Sequence, residues 1–161
     1  RAVADDRFTL LRAADDPLPA GPAIVPLATW KARRDGFLAR GDVGVWLAPA
    51  DDPAEVAADI ARLPVVAVDF PQFSDGRGYS TARLLRERYG FTGELRAIGD
   101  IQRDQLAYLA QCGFDAFAIR DGKNVQDALH GLDDFSDGYQ LTAARTPWFR
   151  RRAAASSAVV E

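Results

Sequence analysis

A loop rich in Asp, Gly, Arg and Tyr follows a short apolar run that ends beside an acid. The apolar run covers residues 65–70 and contains Asp69, and the polar loop that follows reads FSDGRGYS over residues 73–80. The forked guanidinium of Arg77 matches the oxygens of phosphate, sulfite or carboxylate. Free backbone N–H groups at the start of a following helix would add to such a site. The loop therefore predicts either an anion site or an ordinary structural turn.

Other residues of this loop complete the candidate. Gly78 would allow the backbone to approach a ligand closely, and Ser80 is a candidate N-cap for the next helix. Asp75 and Tyr79 of the same loop also belong to the candidate site. The loop lacks the lysine of a Walker motif and the GxGxxG spacing of a dinucleotide fingerprint, so neither pattern is present.

Acids also follow several of the other apolar runs. Asp69, Asp100 and Asp121 would form a carboxylate cluster suited to acid–base chemistry or to magnesium, if their strand ends share one edge. Helix capping and pairing with arginines are the alternative roles, and Asp100 fits an N-cap best.

Two arginines near these acids join the candidate set. A charge inside an apolar strand must find a partner or reach the edge of the sheet, and Asp69 is the candidate partner of Arg96 if their strands adjoin. Arg103 lies in the first turn of the next predicted helix, where it reaches either Asp100 or a ligand. The complete set of predicted ligand-binding residues is Asp69, Asp75, Arg77, Gly78, Tyr79, Ser80, Arg96, Asp100, Arg103 and Arg120.

The candidate residues must be positioned by secondary-structure elements, and the sequence predicts strands, seen as apolar runs, that alternate with helices. The runs cover residues 23–27, 43–47, 65–70, 94–98 and 115–119. Their spacing of roughly twenty to thirty residues fits one strand plus one helix. Repeated alternation predicts an α/β fold, with parallel strands, right-handed crossovers and carboxyl ends at one edge.

The predicted architecture is a mainly parallel open sheet of five strands, with residues 7–11 as a possible sixth, edge strand. A half-barrel-like curved sheet, closing on a partner, is the alternative. A complete eightfold barrel needs about 250 residues, more than this chain has. Residues 1–141 are predicted to form a single α/β domain and residues 142–161 an extended C-terminal tail, whose Trp148 is a candidate docking residue.

Proline, glycine and capping residues predict where helices begin and end. Asp52 before Pro53 indicates an N-cap, Glu55 would complete a capping box, and Pro64 stops that helix. Gly90 and Gly113 are predicted left-handed caps. A shorter helix is predicted after Asn124.

Composition narrows the classes of function. The net charge of −3 comes without a massed basic stripe, so nucleic acid is not an expected partner. No apolar run approaches the roughly 20 residues of a membrane span, and a cytoplasmic location is the expectation. With one cysteine, Cys112, and one histidine, His130, the chain is predicted to form no internal disulfide, to hold no transition metal and to carry no cofactor of its own.

The stretch from Asp69 to Gly122 resembles a bacterial family of unknown function. The matching motifs are Asp69-Phe70-Pro71, Asp75-Gly76-Arg77-Gly78-Tyr79-Ser80, Glu94-Leu95-Arg96-Ala97, Arg103-Asp104-Gln105 and Cys112-Gly113-Phe114-Asp115-Ala116-Phe117. Members of that family are described as probable oxidoreductases or as auxiliary proteins of assimilatory sulfite reduction, encoded near sulfite reductase. The resemblance implies a role in sulfur assimilation and cysteine biosynthesis, and it carries over no catalytic residue.

Three functions follow as expectations. The first is an auxiliary protein that docks onto sulfite reductase or its electron donor. The second is an enzyme, a probable oxidoreductase, that binds a small oxyanion or phosphorylated ligand at the carboxyl edge of the sheet; it would need a borrowed redox cofactor, because the sequence shows neither a flavin nor a nicotinamide fingerprint. The third is a homodimeric scaffold.

Overall fold

The computed structural model describes residues 6–119, which form one sheet of six strands. The strands are β1 (Thr9–Leu10), β2 (Ala23–Pro26), β3 (Val43–Leu47), β4 (Val65–Phe70), β5 (Glu94–Gly99) and β6 (Ala116–Phe117). Their order in the sheet is their order in the chain, and every neighbouring pair is parallel. The predicted α/β fold with a parallel sheet is confirmed, and the possible sixth strand is present at the edge.

The sheet is curled into a half-barrel, the second of the two predicted forms. In a flat sheet β1 and β5 would lie about 19 Å apart, because neighbouring strands are separated by about 4.8 Å. Yet Asp6, just before β1, accepts a hydrogen bond from Arg96 of β5, with 2.6 Å between Nη1 and Oδ2. Arg12, just after β1, likewise reaches Asp69 of β4. These contacts across the concave face require the curl.

Helices connect the strands from β2 onward. They are α1 (Leu27–Ala32), α2 (Arg34–Arg40), a 3-10 helix (Pro53–Arg62), α3 (Arg77–Arg83) with a π-helical continuation (Leu84–Arg88), a short 3-10 helix (Arg103–Gln105) and α4 (Leu106–Cys112). Right-handed crossovers between sequential parallel strands place these connections on one face, the convex side. Within residues 6–119, no helix has the length and apolar character needed to cross a membrane.

Each face of the sheet buries its own apolar cluster. Val45, Val66 and Leu95 are register neighbours, fully buried in the larger cluster with side chains of the helices. Ile24 and Ile98 belong to the smaller cluster on the concave face, together with Phe8, Val65 and Ala67. Successive side chains of a strand point to opposite faces of the sheet. The apolar residues of the larger cluster therefore face the helices, whereas Asp69 and Arg96 face the concave side.

The expected pairing of Arg96 with Asp69 is wrong. The strands adjoin as predicted, but Arg96 lies opposite Ala67, whereas Asp69 lies opposite Ile98, two residues farther along. That step is about 7 Å. Arg96 instead donates to Glu94 on its own strand face (Nε to Oε1, 2.7 Å) and to Asp6. Burial alone would lower the pKa of Arg96, and the hydrogen bonds to Asp6 and Glu94 outweigh burial and raise it.

The predicted helix termini at Asp52, Pro64, Gly90 and Gly113 are confirmed. The Asp52 carboxylate accepts a hydrogen bond from the backbone N–H of Ala54 at 2.9 Å, and the 3-10 helix ends before Pro64. Gly90 and Gly113 have positive φ values of 66° and 108°, as predicted for left-handed caps. Glu55 forms no capping box, because its carboxylate pairs with Lys31 of α1 instead.

Two predicted caps are wrong. Ser80 lies inside α3, which begins three residues earlier at Arg77. Asp100 does not cap the next helix: its N–H donates to the Phe70 carbonyl at 2.7 Å, which extends the β4–β5 ladder by one bond. The cap is Gln102, which forms a reciprocal capping box with Gln105.

Candidate functional site at the carboxyl edge of the sheet

A pocket of about 390 Å³ opens at the carboxyl edge of the half-barrel. It is lined by Arg12, Asp69, Pro71, Gly99 and Asp100. The grouping of Asp69 with Asp100 follows from the shared edge of parallel strands. Functional sites of curled βα folds lie at this same edge, where the loops after successive strands converge.

Arg12 and Asp69 form an ion pair in the wall of the pocket. Nη1 of Arg12 donates to Oδ1 of Asp69 at 2.7 Å, and the two side chains are 51% and 14% exposed. The guanidinium carbon of Arg12 lies 6.0 Å from the centre of the Trp46 ring, at the limit of a cation–π contact. The pair therefore presents adjoining positive and negative groups, with the arginine more open to solvent than the acid.

The segment after β1 holds Arg12 in position. The carboxylate of Asp16 accepts the backbone N–H groups of Arg12 and Ala13 at 2.9 and 2.8 Å. Trp46 Nε1 donates to the carbonyl of Leu11 at 2.8 Å. Sequence reasoning missed Arg12, because no motif surrounds it. The available signal was its position directly after the possible edge strand, where a parallel sheet places its functional residues.

Gly99 allows β4 and β5 to approach each other closely at the pocket. Its φ is +99°, a left-handed conformation that favours glycine, and a Cβ here would lie 2.3 Å from the Phe70 carbonyl oxygen and 2.9 Å from Oδ1 of Asp69. Any side chain at this position would therefore collide with the end of β4 and with the pocket acid.

Arg77, the residue of the loop that was predicted to bind an anion, forms an ion pair with Asp75 instead. Arg77 donates to both carboxylate oxygens of Asp75, with Nε–Oδ1 at 3.0 Å and Nη2–Oδ2 at 2.7 Å. These hydrogen bonds from Arg77 lower the pKa of Asp75 below its ordinary value of 3.8. Arg77 is also absent from the pocket lining. The geometry favours the structural turn over the anion site for this pair.

The close approach at Gly78 is made by a side chain of the protein. A Cβ on Gly78 would lie 2.5 Å from Cζ of Phe70. The ring of Phe70 therefore occupies the space beside Gly78 in which a ligand was predicted to approach the backbone. The Tyr79 ring packs against the Phe70 ring at 5.3 Å, and against the Tyr108 ring of α4 at 4.9 Å. Gly78 and Tyr79 thus join α3 to the sheet and to α4.

Phe73, Tyr79 and Tyr108 form a surface that we call the aromatic patch. Phe73 is 55% exposed and Tyr108 49%, while burial raises the pKa of the half-buried Tyr79. Gln105 links the backbone of Phe73 to Tyr79, because its Nε2 donates to the Phe73 carbonyl at 3.0 Å and to the Tyr79 hydroxyl at 3.2 Å. Sequence reasoning missed the patch. For Tyr108 the signal was the helical spacing of Leu106 and Leu109, because a helix that buries these two leucines directs Tyr108 away from the core.

The remaining predicted residues are dispersed. Arg96 pairs on the concave face as described, and Arg103 begins the short 3-10 helix that precedes α4. Cys112 is a free, buried cysteine, and burial raises the pKa of its thiol. The other predictions concern Arg120, Asp121, His130, Trp148, the helix after Asn124 and the tail 142–161, all of which lie outside the described residues.

The fold and its edge define an α/β half-barrel protein with an open, charged pocket and a neighbouring aromatic patch. The chain belongs to a bacterial family of proteins of unknown function (DUF934), whose model matches residues 44–149. The match includes β3 to β6 and the loop that forms the aromatic patch. A comparison with curated proteins finds no match.

Proposed function

We propose that this protein is an auxiliary protein of assimilatory sulfite reduction that docks onto sulfite reductase or its electron donor. The motifs between Asp69 and Gly122 that resemble the auxiliary family support the pathway. The observation that carries the docking role is the aromatic patch, which exposes the rings of Phe73 and Tyr108 and packs the Tyr108 ring against Tyr79.

The composition and support of the patch suit a protein interface. Single exposed apolar residues are normal on a protein surface, but clustered aromatics mark interaction sites. Aromatic rings dominate binding energy at interfaces when they enter a pocket of the partner. The Tyr79–Tyr108 ring contact and the Gln105 hydrogen bonds already order this surface, which lowers the entropy lost on binding.

The pairing of the arginines weighs against an oxyanion enzyme. An oxyanion at Arg77 would compete with the bidentate carboxylate of Asp75, and one at Arg96 would compete with both Asp6 and Glu94. Replacing a charge-assisted hydrogen bond by an equivalent one yields little net affinity. These contacts support docking as the first proposal.

The test is a binding measurement with purified sulfite reductase, and separately with its electron donor, from the same bacterium. Biolayer interferometry compares the unmodified chain with the double variant Phe73→Ser, Tyr108→Ser. Loss of two aromatic anchors should weaken binding by about a hundredfold or more. Tyr108→Phe keeps the ring and should bind within about threefold of the unmodified chain. Leu84→Ser removes exposed apolar area outside the patch and should have a similarly small effect.

Two results would overturn the docking proposal: neither protein binds, or the double variant binds as tightly as the unmodified chain. Saturable thermal stabilisation by sulfite, abolished in Arg77→Ala, would instead support the enzyme. A concentration-dependent dimer seen by analytical ultracentrifugation, in the absence of any heterologous binding, would support the scaffold.

A further inference from the structure

The pocket at the carboxyl edge places opposite charges side by side. Arg12 and Asp69 contribute a guanidinium and a carboxylate whose contact distance is 2.7 Å, and Asp100 adds a second acid to the lining. We propose that this pocket binds a free α-amino acid, with the ligand carboxylate at Arg12 and the ligand ammonium at Asp69. This proposal is independent of docking through the aromatic patch.

A ligand with a single charge fits this wall poorly. A simple anion at Arg12 would lie beside the carboxylates of Asp69 and Asp100 and be repelled by them, while a simple cation at Asp69 would lie beside the guanidinium of Arg12. A zwitterion meets both groups with the correct sign. Arginine has five N–H donors and a carboxylate has about four acceptor positions, so the single bond between Arg12 and Asp69 leaves each with capacity for a ligand.

The contact between the two protein groups also selects for short ligands. Because Arg12 touches Asp69, the ligand groups that meet them must themselves be adjacent. An α-amino acid carries its ammonium and carboxylate on one carbon. A γ- or ε-amino acid separates them by several bonds and meets both groups only in a folded, strained conformation.

The surroundings of the pair are built to hold it. Asp16 and Trp46 fix the backbone beside Arg12, and Asp69 is only 14% exposed, which strengthens its electrostatic interactions. Gly99 removes a side chain that would otherwise lie against Oδ1 of Asp69. The volume of about 390 Å³ is at the small end of the range for ligand pockets, which suits an amino acid with its side chain.

The test is isothermal titration of the full chain with free L-amino acids, one at a time. γ-Aminobutyrate, propionate and ethylamine are the comparison probes, since each lacks either one charge or the α geometry. We expect at least one amino acid to bind saturably, with an affinity about tenfold or more above that of every comparison probe.

Two pocket variants connect binding to the proposed groups. Arg12→Gln and Asp69→Asn each remove one charge and should weaken amino-acid binding by about tenfold or more. Arg83→Gln, whose partner is Glu87 on the exposed face of the helix, should bind as the unmodified chain does. Thermal unfolding of each variant confirms that the comparison is made between folded proteins.

The proposal is overturned if no amino acid saturates the protein in the millimolar range, if γ-aminobutyrate binds as tightly as the best α-amino acid, or if both pocket variants retain full affinity. The variants of the aromatic patch leave these residues unchanged. Failure of amino-acid binding and failure of docking are therefore separate results.

Discussion

The two ends of the sheet use arginine in opposite ways. At the amino end, Arg86 is 14% exposed and donates to the carbonyls of Gly113, Phe91 and Gly93 and to the Asp115 carboxylate, at 2.6–2.9 Å. At the carboxyl end, Arg12 is half exposed and bonds to a single carboxylate. The amino end uses its guanidinium to join β5 and β6 to the helix layer, whereas the carboxyl end leaves donors open to solvent.

This difference matches a general division in curled βα folds. Residues at the amino ends of the strands hold the fold together, and residues at the carboxyl ends meet ligands and partners. The comparison therefore predicts that the same type of substitution costs stability at one end and binding at the other.

Arg86→Ala should give the largest loss of stability. It would remove the donor to three part-buried carbonyls and the arginine partner of Asp115, costing about 2–3 kcal/mol of unfolding free energy. Urea denaturation measures this loss. Arg83→Ala, which removes an exposed pair with Glu87 on the same helix, should cost only about 0.5 kcal/mol. Equal losses for the two variants would contradict the structural role of Arg86.

Gly99→Ala should be the next most damaging change. Both the positive φ and the close approach to Phe70 oppose a Cβ, and we expect a loss of about 2–3 kcal/mol. Gly90→Ala is the matched control, because Gly90 also has positive φ but faces open space; it should cost about 1 kcal/mol. Similar melting temperatures for the two variants would mean that the β4–β5 contact at the pocket is looser than described.

Arg12→Gln should cost less than about 1 kcal/mol of stability, because the Arg12 side chain is half exposed to solvent. Urea denaturation measures this loss of unfolding free energy, and the result is compared with that of Arg86→Ala. If Arg12→Gln lost as much unfolding free energy as Arg86→Ala, Arg12 would also have a structural role, and the two ends of the sheet would not differ in how they use arginine.

The smallest expected effect is a change in the pKa of Asp75 when Arg77 is replaced. The pKa of Asp75 is lowered by Arg77, so this pair stabilises the fold fully above pH 3.8, and the contribution disappears as the pH falls through the lowered pKa. In Arg77→Gln the pKa of Asp75 should rise toward 3.8, as followed by carboxyl NMR titration. Asp42, whose pKa is lowered by Arg40, should not change in that variant. An unchanged Asp75 would contradict the bidentate contact.

Local chemistry made much of the fold predictable. Buried strands such as β4 are continuous apolar runs, and the helix boundaries at Pro53 and Gly113 depend on backbone restrictions visible in single residues. The curl remained one of two alternatives, because the crossover rule fixes the handedness of each connection but leaves the strand order open.

The site was less predictable because it depends on register and on distant residues. The partner of Arg96 is Asp6, ninety positions away, and Asp69 meets Arg12 across two intervening strands. Ser80 and Asp100 carry good capping side chains, but competing backbone bonds place the helix starts elsewhere. No local pattern contains this information.

Hydrogen–deuterium exchange with purified sulfite reductase or its electron donor tests the central claim most directly. Bound partner should slow exchange over residues 71–80 and 103–112, which include the aromatic patch, and should leave residues 86–96 at the amino end unchanged. Slowing confined to residues 86–96, or no change with saturating amounts of either partner, would contradict the assignment of docking to the carboxyl edge.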